Sequence, residues 1–560
     1  MIDSIKQKLR SISIPQLVVL ILLLAMFSLI LIAPLVSLFS KAFETKSGEW
    51  AGLANYQKYF DSPSLSVSIW NTVDISIWST IFAVAFGFMF AYALTRTRIK
   101  GKTFFKYIAL IPIFIPTLVH ALGLVYLFGN QGVITQLGFD IGLYGRTGII
   151  ISEIIYTFPQ AFLMFLVALE YADGRLYEAA DSMGVPPLRQ FFKITLPDIK
   201  YTLINVFFVC FTLAFTDFGA PKVIGGSYNV LATDIYKQIA GQFNMNMGAV
   251  VGTLLLIPAL LSFIVGRIVN NKNASTLSAK ATKLNIKKSA GRDAVFFALC
   301  VVVTVAFLTI IAALFMGAFT TYYPYDMSFS LQSFKFDDST GGIGSFYHSV
   351  EMSIFTAAFG TVFVFIYAYM MEKTRRFSLL KKIGKLLSVL PIALPGMVIG
   401  LSFIFFFNNQ DNPLNFIYGT VIILVVSNIL HYFSVPFITA TGALKKLDGE
   451  FENVSESMNI PRWKTVLRVS APLSMPAILE IFMYFFVNSM VTVSAVVFLY
   501  SAQFRIAAIA ITHMEEAGNL GQAAAMSLLI LLINVFVRIL YEVAIKIIKA
   551  RTARKETANV

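Results

Sequence analysis

Few side chains in this sequence are equipped for chemistry, and their spacing excludes most kinds of it. Four histidines and two cysteines are spread over 560 residues, with no HExxH or CxxC arrangement. Cys210 and Cys300 both lie inside apolar runs, which fits buried thiols rather than a disulfide framework or a metal site. Gly101-Lys102-Thr103 has the tail of a phosphate-binding loop, but the glycine required five residues earlier is Arg96, and no strand precedes it. No nucleotide site is therefore expected in this chain, and any ATP it uses must be bound by a separate subunit. Asp217 stands out because an acid at or near a membrane-spanning helix is by default a functional candidate. Thr216–Gly226 also reads as a helix end opening into an external loop, where Asp217 would be solvated or capping. His120, alone in an apolar run, reads as a hydrogen-bonded packing residue more readily than as a ligand. At an offset of 275 residues the counterparts of Asp217 and Gly219 are the neutral Thr492 and Ser494. Asp217, His120, Thr492 and Ser494 are the candidates for a solute path. No catalytic residue and no metal ligand is expected, so the chain reads as a non-enzyme.

The most informative polar stretch is Ala168 to Pro197, which lies between two long apolar segments. Ala179 and Ala180 allow another surface to approach the backbone closely. Glu178 offers a carboxylate to a basic partner, and Gly184 permits a sharp turn. Pro186 and Pro187 restart the chain as the first turn of a second short helix. The stretch thus reads as helix, glycine turn, helix, a shape suited to docking into a cleft on a soluble partner. It recurs without a gap at Ala443 to Pro472, 275 residues later, where Asp173, Gly174, Ser182, Met183 and Pro197 reappear as Asp448, Gly449, Ser457, Met458 and Pro472. Register kept over that distance indicates an internal duplication. The second copy is degenerate: Asn453, Val454, Ser455 and Asn459 occupy the positions of Glu178, Ala179, Ala180 and Gly184, with Glu452 and Glu456 flanking the lost acid. Asn459 can still form a left-handed turn, at a cost relative to glycine.

The elements that must carry these loops are set by composition. The chain is 57% hydrophobic and 13% charged, where a soluble protein carries about 25% charged residues. Apolar runs near 15–38, 67–94, 104–128, 147–169, 201–225 and 246–269 repeat as 294–319, 348–371, 379–407, 417–440, 476–500 and 520–545. Each is long enough to span a bilayer as a helix. The expected fold is an all-α integral membrane protein of about twelve transmembrane helices in two homologous six-helix halves. Residues 1–270 form the first half, 271–292 a basic linker and 293–560 the second half. Pro112 and Pro116 in the third span, and Pro391 and Pro395 in the ninth, are spaced alike and predict kinks or helix ends. Lys6, Lys8 and Arg10 precede the first run, which is too long for a signal-peptide core and is read as a retained span. Basic clusters at 96–106, 272–292, 373–385 and 546–555 place both termini and both polar loops in the cytoplasm. The net charge of +14 is thereby explained by membrane topology, and no nucleic-acid partner is expected.

With Glu178-Ala179-Ala180, Gly184 and Leu196-Pro197, the loop resembles the "EAA" loop of permease subunits of binding-protein-dependent ABC importers. The resemblance covers nearly the whole chain, as a fused permease similar to the ferric-iron, thiamine and phosphonate branch. It implies alternating access in the bacterial inner membrane, with an extracytoplasmic solute-binding protein delivering cargo. Two copies of a P-loop ATPase, carrying ATP and Mg, would push on the loops, while this chain binds no cofactor. Thr216 to Lys222, Asn229 to Tyr236, Met247 to Gly252 and Tyr484 to Met490 look like permeases for 2-aminoethylphosphonate. Ferric iron and sugar phosphates are the alternatives within the same transporter type. An ion-coupled secondary transporter is the rival from another class, but its spans would need ionisable residues that are nearly missing here.

Overall fold

A computed structural model describes residues 14–558 apart from 274–283, 285, 287, 375–376 and 459. Asn459, Lys6, Lys8, Arg10, Arg375, Arg376 and the larger part of the linker therefore lie outside the described residues.

The first part of the chain gives α1 (Ile14–Ala42), α2 (Pro63–Arg96), α3 (Thr117–Phe128), α4 (Arg146–Glu170), α5 (Gly174–Ser182), α6 (Lys200–Thr216) and α7 (Met245–Asn273). The second gives α8 (Ala290–Phe319), α9 (Gly344–Lys373), α10 (Gly396–Phe407), α11 (Val421–His431), α12 (Ser434–Lys445) and α13 (Glu450–Ser457). It closes with α14 (Met475–Val491), α15 (Ala507–Glu516) and α16 (Leu520–Ala558). A short antiparallel hairpin, β1 (Thr320–Tyr322) and β2 (Asp326–Phe329), follows α8. Among the described residues, eight helices are long and apolar enough to cross a membrane, and four bent helix pairs raise the total to twelve. This is the expected all-helical membrane fold, since a backbone in lipid must satisfy its own hydrogen bonds.

The prolines do more than kink their helices. The third expected span, 104–128, is divided into an amphipathic helix Lys102–Ala109, a 3-10 turn Ile111–Phe114 and α3, which starts after Pro116. The ninth, 379–407, divides in the same way around Pro391 and Pro395, with a bend of 110° before α10. A proline removes one backbone donor and clashes with the preceding turn, so a pair four residues apart ends a helix. The expected spans at 201–225 and 417–440 are also interrupted, by an extended residue at Asp217 and by a 60° bend after His431.

Two compact units form, and they do not coincide with the halves read from the sequence. One comprises Ala42–Ile343 with Ala507–Leu531. Within it, α8 lies on α3, with Ile310 against Gly123 and Gly317 against the Tyr126 ring. The other comprises Gly344–Ile506 with the chain up to Lys41 and from Leu532 onward. There, Phe27 of α1 packs on Phe433, Tyr367 and Phe363 at ring separations of 4.4, 5.5 and 6.3 Å. The opening helix of each sequence repeat thus packs with residues of the other repeat.

Candidate functional site

The first polar loop folds as helix, turn, helix. Asp173 caps α5, its side chain accepting from the Arg175 amide at 3.1 Å and pairing with the Arg175 guanidinium at 2.6 Å. Gly184 closes the turn at φ +68°, a conformation that a β-carbon resists. Chain direction is then restored by Pro187–Gln190, a π turn at Phe191–Thr195 and Leu196–Asp198, leading into α6 across a bend of 66°. Tyr177 and Thr195 join their hydroxyls at 2.9 Å, and Arg96 at the end of α2 stacks on the Tyr177 ring at 5.1 Å. Ala180 faces inward, whereas Glu178, Ala179 and Gly184 are exposed.

The second loop reproduces this frame with different side chains. Its π turn, Val466–Ser470, is displaced from the first by 275 residues. Ser457 donates to the Asn453 carbonyl at 2.9 Å, as Ser182 donates to the Glu178 carbonyl at 2.9 Å. Glu452, at the position of Tyr177, is buried and paired with Lys373 at 3.4 Å, so an ion pair replaces the cation–π contact. Glu456 is paired with Arg462. Glu452 is therefore closed to a partner, and Glu456, although exposed, already has one in Arg462. Val454 is exposed, as are Asn453 and Glu456.

An apolar surface that the sequence analysis missed accompanies the loops. Leu176, Met183, Leu188 and Phe192 are all exposed on the first, and their counterparts Phe451, Met458, Trp463 and Leu467 are all exposed on the second. Large apolar side chains left open in the same register twice mark a surface made to be covered. The signal was present in the aligned copies, but only the helix faces reveal that these four positions point outward together.

The solute-path candidates fall in separate surroundings. Asp217 follows the last residue of α6, and its carboxylate accepts at 2.9 Å from the amide of Ala220 in the first turn of the short helix Gly219–Ile224. The Glu153 carboxyl of α4 and the Thr117 hydroxyl of α3 lie beside it. His120 is buried in α3, but among the described residues neither ring nitrogen has a hydrogen-bond partner, so the hydrogen bond expected of it is not seen. Thr492 ends α14, buried beside Tyr432, and the Ser494 hydroxyl abuts Gly396 at the start of α10. Among the described residues no group of three or more His, Cys, Asp or Glu is arranged to hold a metal ion. Glu153 was not singled out from the sequence, because it is one acid inside an otherwise apolar run.

The fold and the paired loops define a membrane-transport subunit built on a repeat. The chain belongs to the family of binding-protein-dependent transport system inner membrane components, which it matches twice, over residues 83–275 and 365–548. It is similar to the ferric transport system permease protein FbpB of Actinobacillus pleuropneumoniae, with 29% identity over 84% of this chain and 70% of that one. It is also similar to the Fe(3+)-transport system permease protein FbpB 2 of Haemophilus influenzae, with 23% identity over 86% of this chain and 91% of that one. A chain of the bacterial alginate ABC transporter, solved with an alginate-bound periplasmic protein, covers 48% of this chain at 21% identity and a TM-score of 0.39. The protein is thus a fused ABC-importer permease, a multi-pass inner-membrane transport subunit rather than an enzyme. These two relatives are named for ferric transport, not for the phosphonate expected first from residues 216–222, 229–236, 247–252 and 484–490.

Proposed function

We propose that this chain forms the membrane pathway of an ATP-driven ferric-iron importer. The observation that carries the coupling part is the pair of loops with the same apolar quartet exposed in register. An ABC ATPase, in two copies and holding ATP and Mg, docks on both, one copy to each loop. Glu178, Ala179, Ala180 and Gly184 form the first contact, and Asn453, Val454, Ser455 and Asn459 the second. Both termini and both loops lie in the cytoplasm, where the Lys/Arg clusters concentrate. An extracytoplasmic binding protein delivers the cargo to the opposite face. Residues 1–270 and 293–560 are the two functional repeats, joined by the basic linker 271–292. The choice of ferric iron over 2-aminoethylphosphonate rests on the names of the relatives.

The test is uptake into proteoliposomes holding the permease, its ATPase and the binding protein encoded beside it. ATP-dependent accumulation of radiolabelled ferric iron, with none of 2-aminoethylphosphonate, is expected. Accumulation of the phosphonate alone would overturn the cargo assignment and leave the coupling mechanism standing.

A further inference from the structure

Glu153 lies in the first half of α4 with 0% of its surface exposed, and among the described residues no donor reaches either carboxyl oxygen. The Asp217 carboxyl lies beside it. Asp217 is supplied differently: the Ala220 amide donates to it at 2.9 Å, and the Thr117 hydroxyl lies against it. Two carboxyl groups present only acceptors to one another unless a proton lies between them. Two ionised carboxylates side by side, that of Glu153 fully buried and that of Asp217 half-buried, would also repel. The partner with donors is the natural carboxylate, and the partner without them is the natural acid.

We propose that Glu153 and Asp217 share one proton, with the Glu153 carboxyl donating to the Asp217 carboxylate, and that this bond locks together the far ends of the two helices that hold the first coupling loop. α4 runs into that loop and α6 runs out of it. Glu153 stands 15 residues before Ala168, about 22 Å along the helix axis. Asp217 follows the last residue of α6, which is 17 residues long. The two helices and the loop therefore make a hairpin whose open end is tied by a charge-assisted hydrogen bond. Displacement at the loop is delivered to residue 217 and to the first turn of α3, where Gly219 meets Thr117 so closely that an added β-carbon would stand 2.2 Å from its hydroxyl oxygen.

The second repeat supports this assignment. At the 275 offset, Glu153 and Asp217 become Asn428 and Thr492, both buried and both uncharged. The close contact is kept with its members exchanged: there the glycine, Gly396, is on the helix start and the hydroxyl, Ser494, is on the loop, again at 2.2 Å from an added β-carbon. The junction is thus built twice, and only the first copy carries acids. Glu153 and Asp217 are positioning residues that act through the helix pair.

The inference rests on reading 168–197 as the coupling loop, but its first test does not. In infrared spectra of the full chain in nanodiscs, taken above the pH at which Glu515 ionises, the wild type should show a carbonyl stretch from an un-ionised carboxylic acid that shifts in D2O. Glu153→Gln should lose it. Identical wild-type and Glu153→Gln spectra would overturn the shared proton whatever the loop does. In the second test, Glu153→Gln, whose amide still donates to Asp217, should keep uptake per ATP hydrolysed within about threefold of wild type. Glu153→Leu, which leaves the Asp217 carboxylate unpaired, should lower that ratio about tenfold. Full coupling in Glu153→Leu would overturn the positioning role, and a loss in Glu153→Gln equal to that in Glu153→Leu would show that a carboxylate is required at 153. If Glu153→Leu fails to assemble, the infrared difference and the Glu153→Gln ratio decide between the same outcomes.

Discussion

Replacing Met183 by serine tests the docking surface where the fold itself should be indifferent. Met183 ends α5 and is 74% exposed, so its side chain contributes little to the packing of the permease. A methionine taken fully out of water contributes about 1.5–3 kcal/mol. With three quarters of the side chain available to a partner, docking has about 1–2 kcal/mol at stake at this position. That corresponds to about a 5- to 30-fold weaker association. Met458, its counterpart, is 65% exposed and should weaken docking in the same direction, by less because it sits on the degenerate loop. If the two ATPase copies dock together as one dimer across both loops, the two effects should add in free energy and multiply in affinity. The assay is equilibrium binding of the purified ATPase to permease in nanodiscs, read beside transport-stimulated ATP hydrolysis and the melting temperature of the permease alone. Weaker binding with unchanged melting is the expected result. Wild-type affinity in the Met183→Ser, Met458→Ser double variant would refute the claim that the exposed quartets are the docking surface.

Gly184→Ala should cost about 1 kcal/mol through the left-handed turn alone, because no atom lies within 4 Å of the added β-carbon. Its melting temperature should fall by no more than about 2–4 °C while stimulated ATP hydrolysis falls, and Gly184→Asn should lie between it and wild type. The larger Gly184→Arg should impair coupled hydrolysis more than Asn459→Arg, since the degenerate second loop contributes less; equal losses would contradict that asymmetry. Lys373→Met should destabilise the second unit by about 3–5 kcal/mol by leaving Glu452 buried without its cation. Adding Glu452→Leu should restore most of the melting temperature. For pH, burial pushes the Glu515 carboxyl up to about 7, with the neighbouring Glu516 charge adding to it. A folded pKa above the unfolded one means that the folded state holds the proton more tightly, so this contribution is present at pH 4 and is lost as pH rises toward 7. Melting temperature should therefore fall across that interval, and the dependence should flatten in Glu515→Gln. Glu516 behaves oppositely: hydrogen bonding from His513, then Lys222, holds it down at about 2, so its contribution is lost only near that pH.

Much of the architecture is legible because it is periodic. Apolar runs, the 275-residue repeat and the glycine turn at 184 are local signals, and local signals survive in a single sequence. What was not legible depends on distance or direction. Phe27 and Phe433 meet across more than four hundred residues, and nothing in either run announces its partner. Leu176, Met183, Leu188 and Phe192 are ordinary apolar residues until the helix faces show that none of them is covered. Pro116 and Pro395 were read as kinks or ends, yet whether a proline bends a helix or terminates it depends on what receives the freed carbonyls. Glu153 became visible only once Asp217 stood beside it, because a lone acid carries no indication of what it faces. The loss of Glu178 from the second loop was visible, but not the diversion of Glu452 to Lys373 and of Glu456 to Arg462.

The central claim is that a separate ATPase drives this permease through the loops at 168–197 and 443–472. Its most direct test is site-specific cross-linking in native membranes, with a photoreactive residue at Ala179 and, separately, at Val454. Both positions should cross-link to the same P-loop ATPase, recovered at two copies per permease, and both cross-links should change in yield when ATP is trapped. A chain that yields no such cross-link and purifies alone in several mild detergents, with uptake following an ion gradient instead of ATP, would contradict the account.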